Sequence, residues 1–196
     1  MIPIFTIIIV IFLAILTFQL RKTTNAQEEV EEKFWARERE ANATRRKDIS
    51  NLDYITIPNG LFPLNLDSAV ENQLAELIGK KMLNLTGMTN TDLKLEYGVQ
   101  NLDELTSYDD NFAEFIKLAP DYAKELIAAG QTDDARNILE FAVNNLADSR
   151  AIFDILSSIY VEAGETSKIP QLINLAEKLD SLSKNAILDD LNKKLQ

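Results

Sequence analysis

The stretch LIAAGQTDDARNILEFA, residues 126–142, returns in altered form as YVEAGETSKIPQLINLA, residues 160–176. Gly130 and Gly164 occupy the same place in the two stretches, 34 residues apart. Around each glycine the apolar residues recur three and four positions apart, which is the spacing of an amphipathic helix. Each unit is therefore predicted to be a helix, a turn at glycine and a second helix. The aligned pairs are Leu126/Tyr160, Ile127/Val161, Ile138/Leu172, Leu139/Ile173, Phe141/Leu175 and Ala142/Ala176.

A helix–turn–helix period of 34 residues is the pattern of the tetratricopeptide (TPR) family, and the chain resembles that family over residues 115–181. Ile169 and Pro170 depart from the family pattern, and no proline closes either unit. The alternative is a pair of amphipathic helical hairpins in coincident register. The resemblance implies antiparallel helix pairs that bind a protein or peptide on the surface lined by the first helix of each unit. It rests on the turn glycines, on Ala135 and Ala142, and on Phe153, Leu156, Tyr160 and Ala176.

The predicted helical domain covers residues 67–196 and extends beyond the repeats on both sides. Ser68 with Glu71 matches a capping box and predicts a helix to about Leu83, and Asn101 with Glu104 is a second candidate.

Two further features belong to this domain. The helix before the first turn either kinks or restarts at Pro120. Residues 183–195 place their apolar side chains on one face and their charges on the other, as a solubilising C-terminal capping helix requires.

Residues 51–66 differ from the rest of the chain. Tyr54 to Ile57 favour extended backbone, Pro58-Asn59-Gly60 favours a turn, and Pro63 disfavours helix. We expect an extended strap that packs apolar side chains on the helices. A short hairpin is the alternative, although two strands alone are marginally stable.

The N-terminus is strongly apolar from residue 2 to residue 20, followed at once by Arg21-Lys22. Nineteen helical residues span about 28 Å, close to the ~30 Å hydrocarbon core of a bilayer. Residues 1–22 are therefore predicted to be a transmembrane anchor in the lipid bilayer. A cleaved signal peptide fits less well, because no positive side chain precedes the apolar run. The basic residues that follow it predict a single-pass protein of the cell membrane, with its N-terminus outside and its C-terminal domain in the cytoplasm.

Residues 23–50 are predicted to form a charged helical stalk next to the membrane. From residue 27 onward the segment has no Gly or Pro and is rich in helix-forming residues. Phe34 and Trp35 are its large apolar residues. They could dock on the domain, contact a partner or lie among the lipid headgroups, and docking is the default because buried aromatics usually belong to a core.

Composition excludes several kinds of chemistry. The chain has no Cys and no His, so thiol nucleophiles, disulfides, imidazole bases and Cys/His metal sites are excluded. Residues 51–196 carry twelve Lys and Arg against twenty-four Asp and Glu, a net charge of −12. Such a domain is repelled by nucleic-acid phosphates and favours a basic protein or peptide. No cofactor motif, metal-ligand pattern or catalytic constellation is present, so we expect no enzyme, no cofactor and no metal.

These observations together predict a membrane-anchored interaction protein, a scaffold or adaptor, with a mostly α-helical fold. The alternative is a structural accessory subunit that assembles with a membrane complex, or with copies of itself, through its span and stalk. Phe34 and Trp35 are the candidate stalk contacts. The candidate partner-binding residues, polar or aromatic positions on the first helix of each unit, are Tyr122, Glu125, Asp154, Ser158 and Glu162.

Overall fold

The computed structural model describes residues 4–195, apart from the side chains of residues 4–8, 10, 14, 20, 21 and 23–26. The fold is mostly α-helical, as the sequence predicts. The part of the chain that is described has no β-strand, and its one isolated bridge pairs Ile55 with Met82. The helices are α1 (Ile4–Ala43), α2 (Ala69–Ala75), α3 (Asn90–Tyr97), α4 (Leu102–Ala128), α5 (Thr132–Asn144), α6 (Arg150–Glu162), α7 (Ile169–Ala176) and α8 (Lys184–Lys193).

The chain divides into two units, and the first contains α1 and α3. Ala41 of α1 and Leu93 of α3 are buried. An ion pair between Lys94 Nζ and Glu38 Oε2, 3.0 Å apart, also joins the two helices. Past the end of α1, the backbone N–H of Lys47 donates to the Tyr97 carbonyl at 3.0 Å. The segment that forms α3 falls inside the predicted helical domain, yet it packs on the stalk.

Helix α1 runs without a break from the predicted anchor into the predicted stalk, and it ends at Ala43 rather than at residue 50. Among the described residues, no helix is both long enough and apolar enough to cross a membrane. In the anchor predicted at residues 1–22, the structure describes the side chains of ten residues, namely 9, 11–13, 15–19 and 22.

The second unit comprises residues 48–89 and 101–196. Residues 51–66 contain no helix, and Ile57 and Phe62 from this strap are buried in the core. Its turn places Gly60 at φ +81°, with the Leu61 N–H donating to the Pro58 carbonyl, so glycine is required there.

Helix α2 is shorter than predicted. It ends at Ala75 rather than near Leu83, because Met82 leaves the helix and exchanges two backbone hydrogen bonds of 2.9 Å with Ile55. The cap predicted at Ser68 is present, since its hydroxyl accepts from the Glu71 N–H at 3.0 Å.

Helix α4 continues through Pro120 as one helix, so of the two predicted alternatives the restart at Pro120 is wrong. Asn101 stands at its N-cap position, but the Asn101 side chain makes no capping hydrogen bond, so the capping box predicted there is wrong.

The first helix of each repeat unit ends in the same kind of turn. Gly130 and Gly164 have φ angles of +79° and +72°, and in each turn two backbone N–H groups return to the preceding helix in a Schellman motif. The glycine matters here because other residues rarely adopt positive φ. In the first turn these bonds are Gln131 N to Leu126 O at 2.8 Å and Gly130 N to Ile127 O at 3.0 Å, and in the second Glu165 N to Tyr160 O at 2.7 Å and Gly164 N to Val161 O at 3.0 Å.

Burial follows the same 34-residue register, and it extends into a third, incomplete unit. Helix α8 begins at Lys184, 34 residues after Arg150 begins α6. Helix α8 is thus the first helix of a unit that lacks its second helix among the described residues. In α8, Ile187 and Leu191 are buried at the positions equivalent to Phe153 and Ser157. The pairs buried alike in the first two units are Leu118/Ile152, Ala119/Phe153, Tyr122/Leu156, Ala123/Ser157, Leu126/Tyr160, Ala135/Ile169, Ile138/Leu172 and Ala142/Ala176.

Candidate partner-binding surface

The first helices of the three units are the second half of α4, then α6, then α8, and α6 packs against both of the others. Ile127, Val161 and Leu195 lie at 34-residue intervals at or just beyond the ends of these helices. Each remains exposed, by 36%, 42% and 46% respectively. Packed helices lie about 8–10 Å apart, so these side chains repeat at roughly that distance. We call Ile127, Val161 and Leu195 the apolar ladder.

Lys194, just after α8, ties this helix to the middle of α6. Its ammonium group donates to the Asp154 carboxylate at 2.7 Å, to the Asp154 carbonyl at 2.9 Å and to the Ser158 hydroxyl at 2.7 Å. Lys194 is only 23% exposed at its side chain, so this contact is partly shielded from water. Two of the predicted binding residues are therefore already occupied by a residue of the same chain.

A second ion-pair group lies one turn earlier on the same two helices. Arg150 donates to Asp190 at 2.6 Å, and Lys193 approaches the same carboxylate at 3.3 Å. The hydrogen bond from Arg150 holds the pKa of Asp190 below its ordinary value, with a smaller contribution from Lys193. These residues line a groove of roughly 570 Å³ between α6 and α8, together with Ala151 and Asp154.

The balance of charge in this groove is opposite to that of the domain. Its cations are Arg150, Lys193 and Lys194, and its anions are Asp154 and Asp190. The sequence predicts only that residues 183–195 form a capping helix with its charges on one face. The pairing of α8 with α6 joins residues 40 positions apart, and no local sequence pattern encodes it.

The other predicted binding residues are distributed as follows. Glu162 is exposed at the end of α6, beside Val161 of the apolar ladder. Glu125 is half-buried and accepts a hydrogen bond from the Ser68 hydroxyl at 2.6 Å. The structure thus places Asp154, Ser158 and Glu162 on one helix, whereas Glu125 helps to hold the segment before α2 on α4.

The prediction that Tyr122 contacts a partner is wrong, because its side chain is fully buried. Its hydroxyl donates to the Glu71 carboxylate at 2.7 Å. Burial, reinforced by this hydrogen bond to an anion, raises the pKa of Tyr122 well above its ordinary value. Tyr122 is therefore a core residue that links α4 to α2.

A smaller cavity of about 200 Å³ lies between α5 and α7. The Tyr160 hydroxyl donates to Glu140 at 2.8 Å, and the Lys168 ammonium group lies 5.0 Å from the Tyr160 ring centre. Burial raises the pKa of Tyr160. No cluster of three or more carboxylates that could hold a metal ion occurs within the described part of the chain.

On the stalk, Phe34 and Trp35 are exposed, and their docking on the domain stays a prediction. Each side chain is 53% exposed, and their rings contact each other edge to face with centres 5.3 Å apart. Val30, one turn earlier, is 69% exposed.

No protein-family model matches this chain, and no curated protein or solved structure was found to be similar to it.

Proposed function

We propose that this protein is a membrane-anchored interaction protein whose TPR-like helical array binds a protein partner at the cytoplasmic face of the cell membrane. The anchor rests on the apolar run before Arg21 and on the basic residues after it. Continuity of α1 supports a stiff connection, since residues 22–43 alone extend about 33 Å as a helix.

The apolar ladder is the observation that carries the binding function. Three exposed apolar side chains in repeat register, on the helices that line one face of the array, form a row that a single partner segment can contact. Rows of apolar anchors surrounded by polar residues are what protein interfaces use for affinity. The resemblance to the TPR family points to the same face.

The partner class follows from charge. The anions of the α6–α8 groove are already paired with cations of this chain, whereas Glu162, next to Val161 of the ladder, is an exposed carboxylate. A segment with apolar residues and a basic flank is the partner that this surface fits.

Exchange of Val161 for aspartate tests the proposal in the full chain. Removing water from a carboxylate in the middle of the ladder costs binding free energy. We therefore expect Val161→Asp to weaken capture of the partner from solubilised membranes at least about tenfold. Ile78→Asp is the matched control, because Ile78 is 39% exposed and lies in the turn after α2. Quantitative mass spectrometry of the captured proteins is the readout. Equal capture by Val161→Asp and the unmodified chain would contradict the proposal.

The alternative function, a structural accessory subunit assembled through span and stalk, is favoured by the exposed aromatic pair on α1. Removal of residues 1–22 separates the two functions. We expect capture by the apolar ladder to survive this deletion, whereas a subunit assembled through its span would lose all partners.

A further inference from the structure

The stalk carries an exposed apolar patch within the first unit. Val30, Phe34 and Trp35 lie within two turns of α1, and each is more than half exposed. We call these three residues the stalk patch. The ion pairs that join α3 to α1 lie beyond the patch, at Arg37, which contacts Asp92 at 2.5 Å, and at Glu38, which contacts Lys94 at 3.0 Å. An exposed group of large apolar side chains in a charged segment marks a contact site.

Lipid headgroups are too far away to cover this patch. Trp35 follows Lys22 by thirteen residues, which corresponds to about 20 Å along a helix. A headgroup layer is only about 5–8 Å thick on each side of the hydrocarbon core. Even a helix tilted by about 40° would leave Trp35 roughly 15 Å from the edge of the hydrocarbon core, which is still beyond the headgroup layer.

Acidic side chains surround the stalk patch. Glu28, Glu31 and Glu32 are exposed and form no ion pair within the described residues, whereas Glu29 pairs with Lys33 at 2.7 Å. A second copy anchored in the same membrane would run parallel and would bring these glutamates together. Repulsion between like charges therefore disfavours self-association through the patch.

We propose that the stalk patch binds the basic juxtamembrane helix of a second membrane protein. Cytoplasmic flanks of membrane spans are rich in Lys and Arg within about 15–20 residues of the span, and the patch begins eight residues after Lys22, at matching height. Basic side chains complement Glu31 and Glu32, and an arginine on the face of Trp35 adds a cation–π contact. This inference rests on the membrane tether of the proposed function.

Trp35 is the only tryptophan in the chain, so its fluorescence reports on the patch directly. The full chain is reconstituted in phosphatidylcholine vesicles and titrated with a tryptophan-free amphipathic peptide of leucine, lysine and arginine. We expect a blue shift of Trp35 emission, reduced iodide quenching, and binding that weakens with salt. The same peptide with glutamate at every basic position should have no effect.

Two variants separate specific binding from general attraction. Glu31→Lys with Glu32→Lys should weaken peptide binding at least about tenfold. Glu76→Lys with Glu177→Lys changes the net charge equally at exposed positions of the other unit and should leave binding unchanged.

Three results would overturn the inference. They are no blue shift with the basic peptide, an equal shift with the acidic peptide, and emission already blue-shifted in vesicles without peptide. Alkaline carbonate extraction of the same vesicles tests the tether separately. A chain that resists extraction but gives no Trp35 response refutes the stalk contact alone, and an extracted chain refutes the tether.

Discussion

Glu71→Gln should lower the free energy of unfolding by roughly 3 kcal/mol at neutral pH, the largest effect that we expect of a substitution without loss of volume. Glu71 is 4% exposed and forms no ion pair among the described residues. Its carboxylate accepts from three consecutive backbone N–H groups, at Asn65, Leu66 and Asp67, at 2.8 to 3.1 Å. The Tyr122 hydroxyl completes the set. Glutamine retains one acceptor oxygen but turns an NH₂ group toward N–H donors.

The control for this variant is Glu104→Gln. Glu104 also accepts a hydrogen bond from a tyrosine, Tyr108, but on the exposed face of α4. Loss of this exposed hydrogen bond in Glu104→Gln should lower the free energy of unfolding by less than about 1 kcal/mol. Urea unfolding followed by circular dichroism measures both variants. Equal effects at the two positions would contradict the assignment of Glu71 as a buried anchor of the strap.

The same site gives a dependence on pH with a defined sign. Burial alone would raise the pKa of Glu71, but the hydrogen bonds from Tyr122 and the backbone N–H groups outweigh it and hold the pKa below its ordinary value. The stabilisation from Glu71 is therefore complete above about pH 4.3, the ordinary glutamate value, and is lost as the pH falls through the lower native value. The difference in stability between the unmodified chain and Glu71→Gln should accordingly shrink in acid. A difference that stays constant would show that the carboxylate charge is irrelevant.

Gly98→Ala should disrupt the packing of the end of α3 on residues 45–46, just after α1, at a cost of about 3 kcal/mol from backbone strain and overpacking together. Gly98 follows α3 at φ +89°, and a Cβ there would lie 2.6 Å from the Arg45 carbonyl oxygen and 2.8 Å from the Arg46 Cα. Both are backbone atoms, which cannot move aside as a flexible side chain would.

Gly164→Ala isolates the contribution of the backbone angle. Gly164 has φ +72° but nothing within 4 Å of the position that a Cβ would occupy. Gly164→Ala should therefore lower the free energy of unfolding by only about 1 kcal/mol. Hydrogen exchange of the α3 amides is the readout. The full cost of about 3 kcal/mol at Gly98 corresponds to roughly 150-fold faster exchange of the α3 amides by local opening. Unchanged exchange in α3 would show that residues 45–46 do not pack on Gly98 as described.

Local patterns were sufficient to predict the repeats. Gly130 and Gly164 mark equivalent turns, because helix periodicity and turn chemistry act within one unit. The aligned pairs Leu126/Tyr160, Ile138/Leu172 and Ala142/Ala176 are buried alike, and Ile127/Val161 are exposed alike. The non-helical strap follows from its prolines and from Gly60 in the same way.

Features set by distant contacts could not be predicted. Tyr122 has the spacing of a helix surface residue and of a core residue alike, and only the position of Glu71 decides between them. Met82 pairs with Ile55 through backbone hydrogen bonds instead of continuing α2, and Lys194 contacts Asp154 because α8 packs on α6. Long-range pairing of this kind overrides local helix propensity.

Photo-cross-linking from position 161 in native membranes is the most direct test of the central claim that the first helices of the array present a partner-binding surface. A photoreactive residue in place of Val161 should give a discrete adduct with another protein, and the same residue in place of Ile78 should give none. An adduct at Ile78 without one at Val161 would contradict the account.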